Sequence, residues 1–179
     1  MSFEAWNLVA TMGSFLVIAV TAIAALVQLR HLRTSNQLQA FLSLGMQYRD
    51  VAPLIGFVYN DLPKKMESAE FRHEIGLVLD PRDHPELIVA GFFDMLGGLI
   101  KYRMMDESLV LDFAGGADAI LKCWTNLGSV MEIRRRHAPN AYENFELLAA
   151  RARRWNDRFP KGTYPASEQR MPISGTGAP

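Results

Sequence analysis

One cysteine, Cys123, is all the chain has. No disulfide can therefore join two of its parts, a usage that fits a reducing compartment. Net charge is also lacking: 19 basic residues balance 19 acidic ones. That leaves no global positive potential of the kind that draws a protein to nucleic acid, and no nucleic-acid partner is expected. Several catalytic signatures are missing. There is no Gly-x-x-x-x-Gly-Lys-Ser/Thr phosphate loop, no Gly-x-Ser-x-Gly elbow and no His-Glu-x-x-His pair. No internal repeat stands out, and no run alternates as a strand ladder does. The expectation is an all-α protein with no assigned catalytic residue and no cofactor, more an interaction or regulatory module than an enzyme.

The longest absence is of charge. From Leu8 to Leu29, 22 residues carry none. At ~1.5 Å per residue a helix of that length reaches roughly 33 Å, enough for a hydrocarbon core of about 30 Å. Trp6 precedes the run, where an amphipathic ring suits the membrane interface. Arg30, His31 and Arg33 follow it, and Glu4 is the only charge before it. The positive-inside rule then predicts a single-pass protein of the inner (cytoplasmic) membrane, N-terminus out and C-terminal domain in the cytoplasm. Three rival readings exist. Ala22-Ile23-Ala24 resembles a signal-cleavage site, but residues 1–7 hold no Lys or Arg and the apolar run exceeds the usual ~7–15 residues. A core helix of a soluble protein rarely lacks charge for so long. An inverted topology is the third. Within the run, Ala10, Ser14, Val17, Thr21, Ala24 and Gln28 recur every three or four residues. That seam of small and weakly polar side chains suits close helix approach, so a homo-oligomer through the membrane helix is one expected partner arrangement beside the lipid bilayer itself.

After the anchor, residues 34–48 remain uncharged but turn polar, with Leu38, Phe41, Leu42 and Met46 on one helical face. The helix is expected to run on as a stalk packing on the domain, with Pro53 and Gly56 as stop signals. Residues 60–65 read as a loop or short turn. Ser68 can N-cap a helix over about 69–78. Pro85 suits a first helical position, opening a helix to about Met104 whose apolar set is Ile88, Phe92, Met95, Leu96 and Leu99. Gly97-Gly98 inside it costs roughly 2 kcal/mol relative to alanine, which implies close approach by a neighbour or a kink. Phe113, Ala117, Ile120, Trp124, Leu127 and Met131 mark a core stripe of a helix ending near Arg135. Asn140 with Glu143 resembles a capping box for a last helix buried through Tyr142, Phe145, Leu148, Ala149, Ala152 and Trp155. The tail, rich in Pro, Ser and Gly, is expected to be disordered. The division is thus 1–7 external, 8–29 transmembrane, 30–52 stalk, 53–160 a compact bundle of about four helices, and 161–179 tail.

Charge is segregated. Residues 50–112 hold twelve acidic and six basic side chains, whereas 134–161 hold eight basic and three acidic. Arg134, Arg135, Arg136, Arg151, Arg153, Arg154 and Arg158 lie on consecutive helices. Most simply they are solvated faces and helix-end cations; an anionic lipid or an acidic protein partner is the functional alternative. The richest cluster of ligating types is His73, Glu74, Asp80, Asp83, His84 and Glu86. Their spacing matches no metal pattern, and turn and cap roles explain them. A hydrolytic or metal-using site near His73, Asp80, Asp83 and His84 is the alternative function. Cys123, beside Trp124 on a core-patterned helix, is expected to be buried and inert.

Several of these segments also resemble an uncharacterised bacterial family, a domain of unknown function. They are Trp6 before the membrane helix, Gln28-Leu-Arg-His-Leu-Arg33, Ser35-Asn-Gln-Leu-Gln-Ala40, Phe71-Arg72, His84-Pro-Glu-Leu87, Phe92-Phe93 and Tyr142-Glu-Asn-Phe145. The resemblance spans about Trp6 to Trp155. It implies a small, membrane-tethered helical protein and supplies no activity and no functional residue.

Overall fold

The computed structural model describes residues 3–77, 81–112 and 116–171, apart from the side chains of 4, 5, 8–10, 33, 34, 36, 37 and 81. Among the described residues there is no strand. The elements in order are α1 (Phe3–Asn60), α2 (Leu62–Lys65), α3 (Ala69–Leu77), a 3-10 turn (Pro81–Asp83), α4 (Pro85–Lys101), α5 (Glu107–Leu111), α6 (Gly116–His137) and α7 (Glu143–Arg158). The all-α expectation holds. The chain divides into two compact units, Met1–Gln47 and Tyr48–Pro179.

The described part of the first unit is helical and exposes many apolar side chains. Its stretch Thr11–Leu32 is long and apolar enough to cross a membrane, with a mean hydropathy of 2.2 over its most apolar part, where no residue is buried within the protein. Phe15, Leu16, Ile18, Ile23, Leu26 and Leu29 are all exposed. The hydroxyls of Thr11 and Thr21 donate to the carbonyls of Asn7 and Val17, each at 2.8 Å, so the helix satisfies them internally. Leu38, Leu42 and Met46 are exposed and Phe41 is half-buried. The stripe read as a packing face is therefore not a buried one.

In the second unit, α1 continues past its expected stop. Pro53 lies inside the helix, and the helix ends only at Asn60. A proline cannot donate to the carbonyl four residues back and costs about 3 kcal/mol in a helix interior. Pro53 is on the exposed side, however, while Val51, Ile55 and Val58 bury the other. Packing along that face offsets the missing bond.

Helix α4 packs chiefly on α7, α7 also on α6, and α6 on α3. The ring of Phe145, with no exposed surface, stands at the centre. Phe93 of α4 stacks on it at 5.1 Å between centroids, and Trp124 of α6 meets it edge-on at 5.2 Å. Ala117, Ile120, Leu127 and Met131 are buried as their spacing implies, as are Leu148, Ala149 and Ala152. Phe113, where the α6 stripe was expected to begin, lies outside the described residues. The described helix opens at Gly116, whose φ of +68° favours glycine.

Other boundaries moved for local reasons. Helix α4 stops at Lys101 rather than near Met104 because Arg103 takes a left-handed φ of 56°. The amide of Met104 returns to Leu99 O at 2.9 Å and that of Arg103 to Ile100 O at 3.0 Å, the paired bonds of a Schellman stop. A glycine would have announced it; an arginine does not. Helix α5 is an addition, capped by Asp106, whose carboxylate accepts from Ser108 N at 2.8 Å and Ser108 Oγ at 2.6 Å. Those bonds hold the Asp106 pKa below its usual value. Ser68 caps α3 as expected, accepting from Phe71 N at 3.3 Å.

The Asn140–Glu143 capping box does not form. Helix α7 begins at Glu143, after Tyr142 in a left-handed conformation (φ 59°) with no side-chain cap of its own. Its cap comes from α4: Asp94 Oδ1 accepts from the amides of Asn144 and Phe145, each at 3.0 Å. Gly97, about one turn further on, lies directly against the α7 backbone. A β-carbon there would overlap the carbonyl oxygen of Asn144. The glycine pair thus marks close approach, as its cost implied.

Beyond α7, Thr163 Oγ1 donates to Asp112 Oδ1 at 2.9 Å and Arg170 Nη2 to Lys161 O at 2.9 Å. Residues 172–179 of the expected tail lie outside the described residues.

Candidate functional site

The two faces of α3 organise the polar chemistry of the second unit. Phe71 and Glu74, three residues apart, share one face. His73, Gly76 and Leu77 share another.

On the first face stands His84, the residue before Pro85, buried at 7% exposure. Its Nδ1 lies 2.8 Å from Glu86 Oε1, and its Nε2 lies 3.7 Å from Glu74 Oε1. The Phe71 ring is 6.4 Å away. Glu86 has no exposed surface, and its Oε2 has no hydrogen-bond partner. A buried carboxyl with one unpartnered oxygen is costly. Its place in the first turn of α4, at the positive end of the helix dipole, offsets part of that. The imidazole thus links an interior carboxyl to a surface one. Nearby, burial pushes the Tyr142 phenol up, while Arg134 pulls it down and Asp94 and Glu86 push it further up.

On the second face, Arg72, His73, Gly76 and Leu77 meet Ile133, Arg136 and His137 of α6 around a groove of about 360 Å³. Arg72 is held in place, its Nη1 donating to Met66 O at 2.5 Å and to Glu67 O at 2.9 Å. A second groove of similar size, lined by Trp124, Glu146, Arg153, Arg154 and Asp157 among others, mixes both signs of charge.

The expected cluster is therefore divided. His73 faces the α6 groove and His84 faces Glu86. Asp83 is exposed in the 3-10 turn, and Asp80 lies outside the described residues. Among the described residues, no group of three or more His, Cys, Asp or Glu side chains is placed to hold a metal ion. The arginines divide as well. Arg135 is spent internally: its Nε donates to Ala141 O at 2.9 Å and its Nη2 to Glu146 Oε2 at 2.7 Å, clamping the turn into α7. Arg151 is paired with Glu107 at 2.5 Å. Arg134 donates to Ile75 O at 3.3 Å, at the end of α3. Arg136, Arg154 and Arg158 are exposed. In the first unit, Trp6 and Arg30 are exposed. So are Ser14, Thr21, Ala24 and Gln28 of the small-residue seam, while the side chains of Ala10 and Arg33 are outside the description.

Cys123 is fully buried, its Sγ 3.5 Å from Tyr59 OH. Burial pushes the thiol up, and it pushes the Tyr59 phenol up too. Sequence reasoning missed His137, the full burial of Glu86 and the capping role of Asp94. Only Glu86, written just after Pro85, carried a local signal, that of a first-turn acid.

Among the described residues, the architecture is that of an all-α domain preceded by one helix apolar enough to cross a membrane. The chain belongs to DUF4760, a domain of unknown function, whose family model matches residues 15–155. No curated protein and no solved structure matches it.

Proposed function

We propose that this protein is a single-pass inner-membrane protein of a bacterium, its N-terminus outside and its helical unit in the cytoplasm acting as a non-enzymatic interaction or regulatory module. The observation that carries the reading is the Thr11–Leu32 stretch, apolar and with no residue of its most apolar part buried within the protein. Arg30, His31 and Arg33 at its C-terminal end, against Glu4 at its start, support the orientation. A removable signal sequence meets the same criteria of length and composition, so the test must separate the two.

The full chain would be expressed in a bacterium, extracted with alkaline carbonate and weighed intact. A membrane pellet holding the uncleaved 20.1 kDa chain is expected. A reporter fused after Pro179 should be active only in its cytoplasmic form. A shortened soluble product, or an active periplasmic reporter, would overturn the anchor or its orientation. Self-association through Ala10, Ser14, Thr21, Ala24 and Gln28 belongs to the same reading. Light scattering in detergent should give more than a monomer's mass, and S14L/T21L/A24L should lower it. An unchanged mass removes that seam.

A further inference from the structure

We infer that the groove between α3 and α6 is a binding site for a phosphate group, carried either by a small soluble ester or by a lipid headgroup. The site is built from both helices: Arg72 and His73 on one side, Arg136 and His137 on the other. Among the described residues its lining includes no carboxylate. Two guanidinium groups and two imidazoles present only N–H donors to an incoming anion, apart from one acceptor nitrogen on each neutral ring.

Helix-end electrostatics account for part of this charge and not for all of it. Arg134 already serves the end of α3 by its bond to Ile75 O. Arg72 sits in the first half of α3 (Ala69–Leu77), away from that helix's negative end. Its Nη1 bonds to Met66 O and Glu67 O fix the guanidinium beside the groove, so less ordering remains to be done when an anion arrives. Arg136 is paired with Glu132 at 3.2 Å, but both side chains are about two-thirds exposed or more. Such a surface pair contributes at most about 1 kcal/mol and yields readily to a better anion.

The shape fits as well. Gly76 keeps the floor open: a β-carbon there would already lie 3.5 Å from both His137 Nε2 and Ile133 Cγ2. Ile133 and Leu77, the latter 60% exposed, give the groove an apolar lip. A volume of about 360 Å³ suits a phosphate bearing a small organic body.

The test uses the full chain in nanodiscs of phosphatidylcholine, with inorganic phosphate titrated by calorimetry. Saturable binding is expected. R72Q/R136Q should weaken it by about tenfold or more, as loss of two charge-assisted contacts implies. R153Q/R154Q removes the same charge from α7 and should leave it within about twofold. Because Arg72 also holds backbone carbonyls, R136Q/H137Q, at two exposed positions, provides an independent loss. G76L should abolish binding by filling the groove without altering charge. Discs containing phosphatidic acid separate the two sources. If they displace inorganic phosphate, the lipid headgroup is the ligand; if they do not, a soluble phosphate is. Absence of saturable binding, equal loss from the groove and α7 pairs, or survival of binding in G76L would each overturn the inference.

Discussion

The carboxylate of Asp94 accepts the backbone N–H of Asn144 at 3.0 Å across a separation of 50 residues, so one helix interior supplies the cap of another helix's start. The same carboxylate also accepts from Phe145 N at 3.0 Å and, through Oδ2, from Asn144 Nδ2 at 3.2 Å. The negative charge lies at the positive end of α7. The α4–α7 contact is therefore both apolar, through Phe93 and Phe145, and electrostatic.

D94A should cost about 2 kcal/mol, the upper part of the range for losing a helix cap. Urea unfolding of the full chain in detergent, followed by tryptophan fluorescence, reads it, since Trp124 packs edge-on against Phe145. An unchanged midpoint would mean that water replaces Asp94 without loss.

G97A should be worse. Its β-carbon cannot coexist with the Asn144 carbonyl, so α4 and α7 must separate and strain the Asp94 bonds. A loss of about 3 kcal/mol or more is expected, beyond ordinary overpacking. G91A on the same helix and G128A on α6 meet nothing within 4 Å and should be neutral or stabilising by up to about 1 kcal/mol. Equal behaviour of the three variants would contradict the close approach.

The His84–Glu86 pair should be strongly non-additive. H84A alone leaves the buried Glu86 carboxyl without its 2.8 Å partner, which costs about 1–3 kcal/mol for the unmet polar group on top of lost packing. H84L/E86L removes both polar groups and should be less damaging than the sum of the single changes. A double-mutant cycle that closes additively would show that the two side chains do not depend on each other.

Cys123 should resist labelling. Its sulfur is fully buried and burial raises its pKa above the ordinary 9.0, so little thiolate exists at pH 8. A thiol reagent should react with the native chain about a hundredfold or more slowly than in denaturant, at a rate set by local opening. Because the native pKa is raised, the native rate should still be climbing at pH 9. Fast labelling at pH 7 would show an accessible thiolate.

Much of the architecture could be read from spacing alone. The uncharged run before Arg30, the Ser68 cap, Pro85 at a helix start and the buried faces of α6 and α7 are all local patterns. Each depends on residues within a turn or two of one another, and local geometry decides which side of a helix is apolar. The continuation of α1 through Pro53 was not legible, because burial of Val51, Ile55 and Val58 outweighs a local breaker. Nor was the stop at Arg103, where an arginine occupies a position usually marked by glycine.

By itself the sequence determined that the chain is helical, that one helix has the length and apolarity to cross a membrane, and that its charge is segregated. Tertiary structure alone decided which polar groups meet. It turned Asp94 into the cap of α7 and spent Arg135 on the turn before it. It sent His73 to a groove with His137 while burying His84 against Glu86. The physical reason is that periodicity fixes the direction of a side chain about its own helix axis. Which partner stands in that direction depends on how helices far apart in the sequence pack, and that is settled by the fit of side chains around Phe145 and by the room left at Gly97.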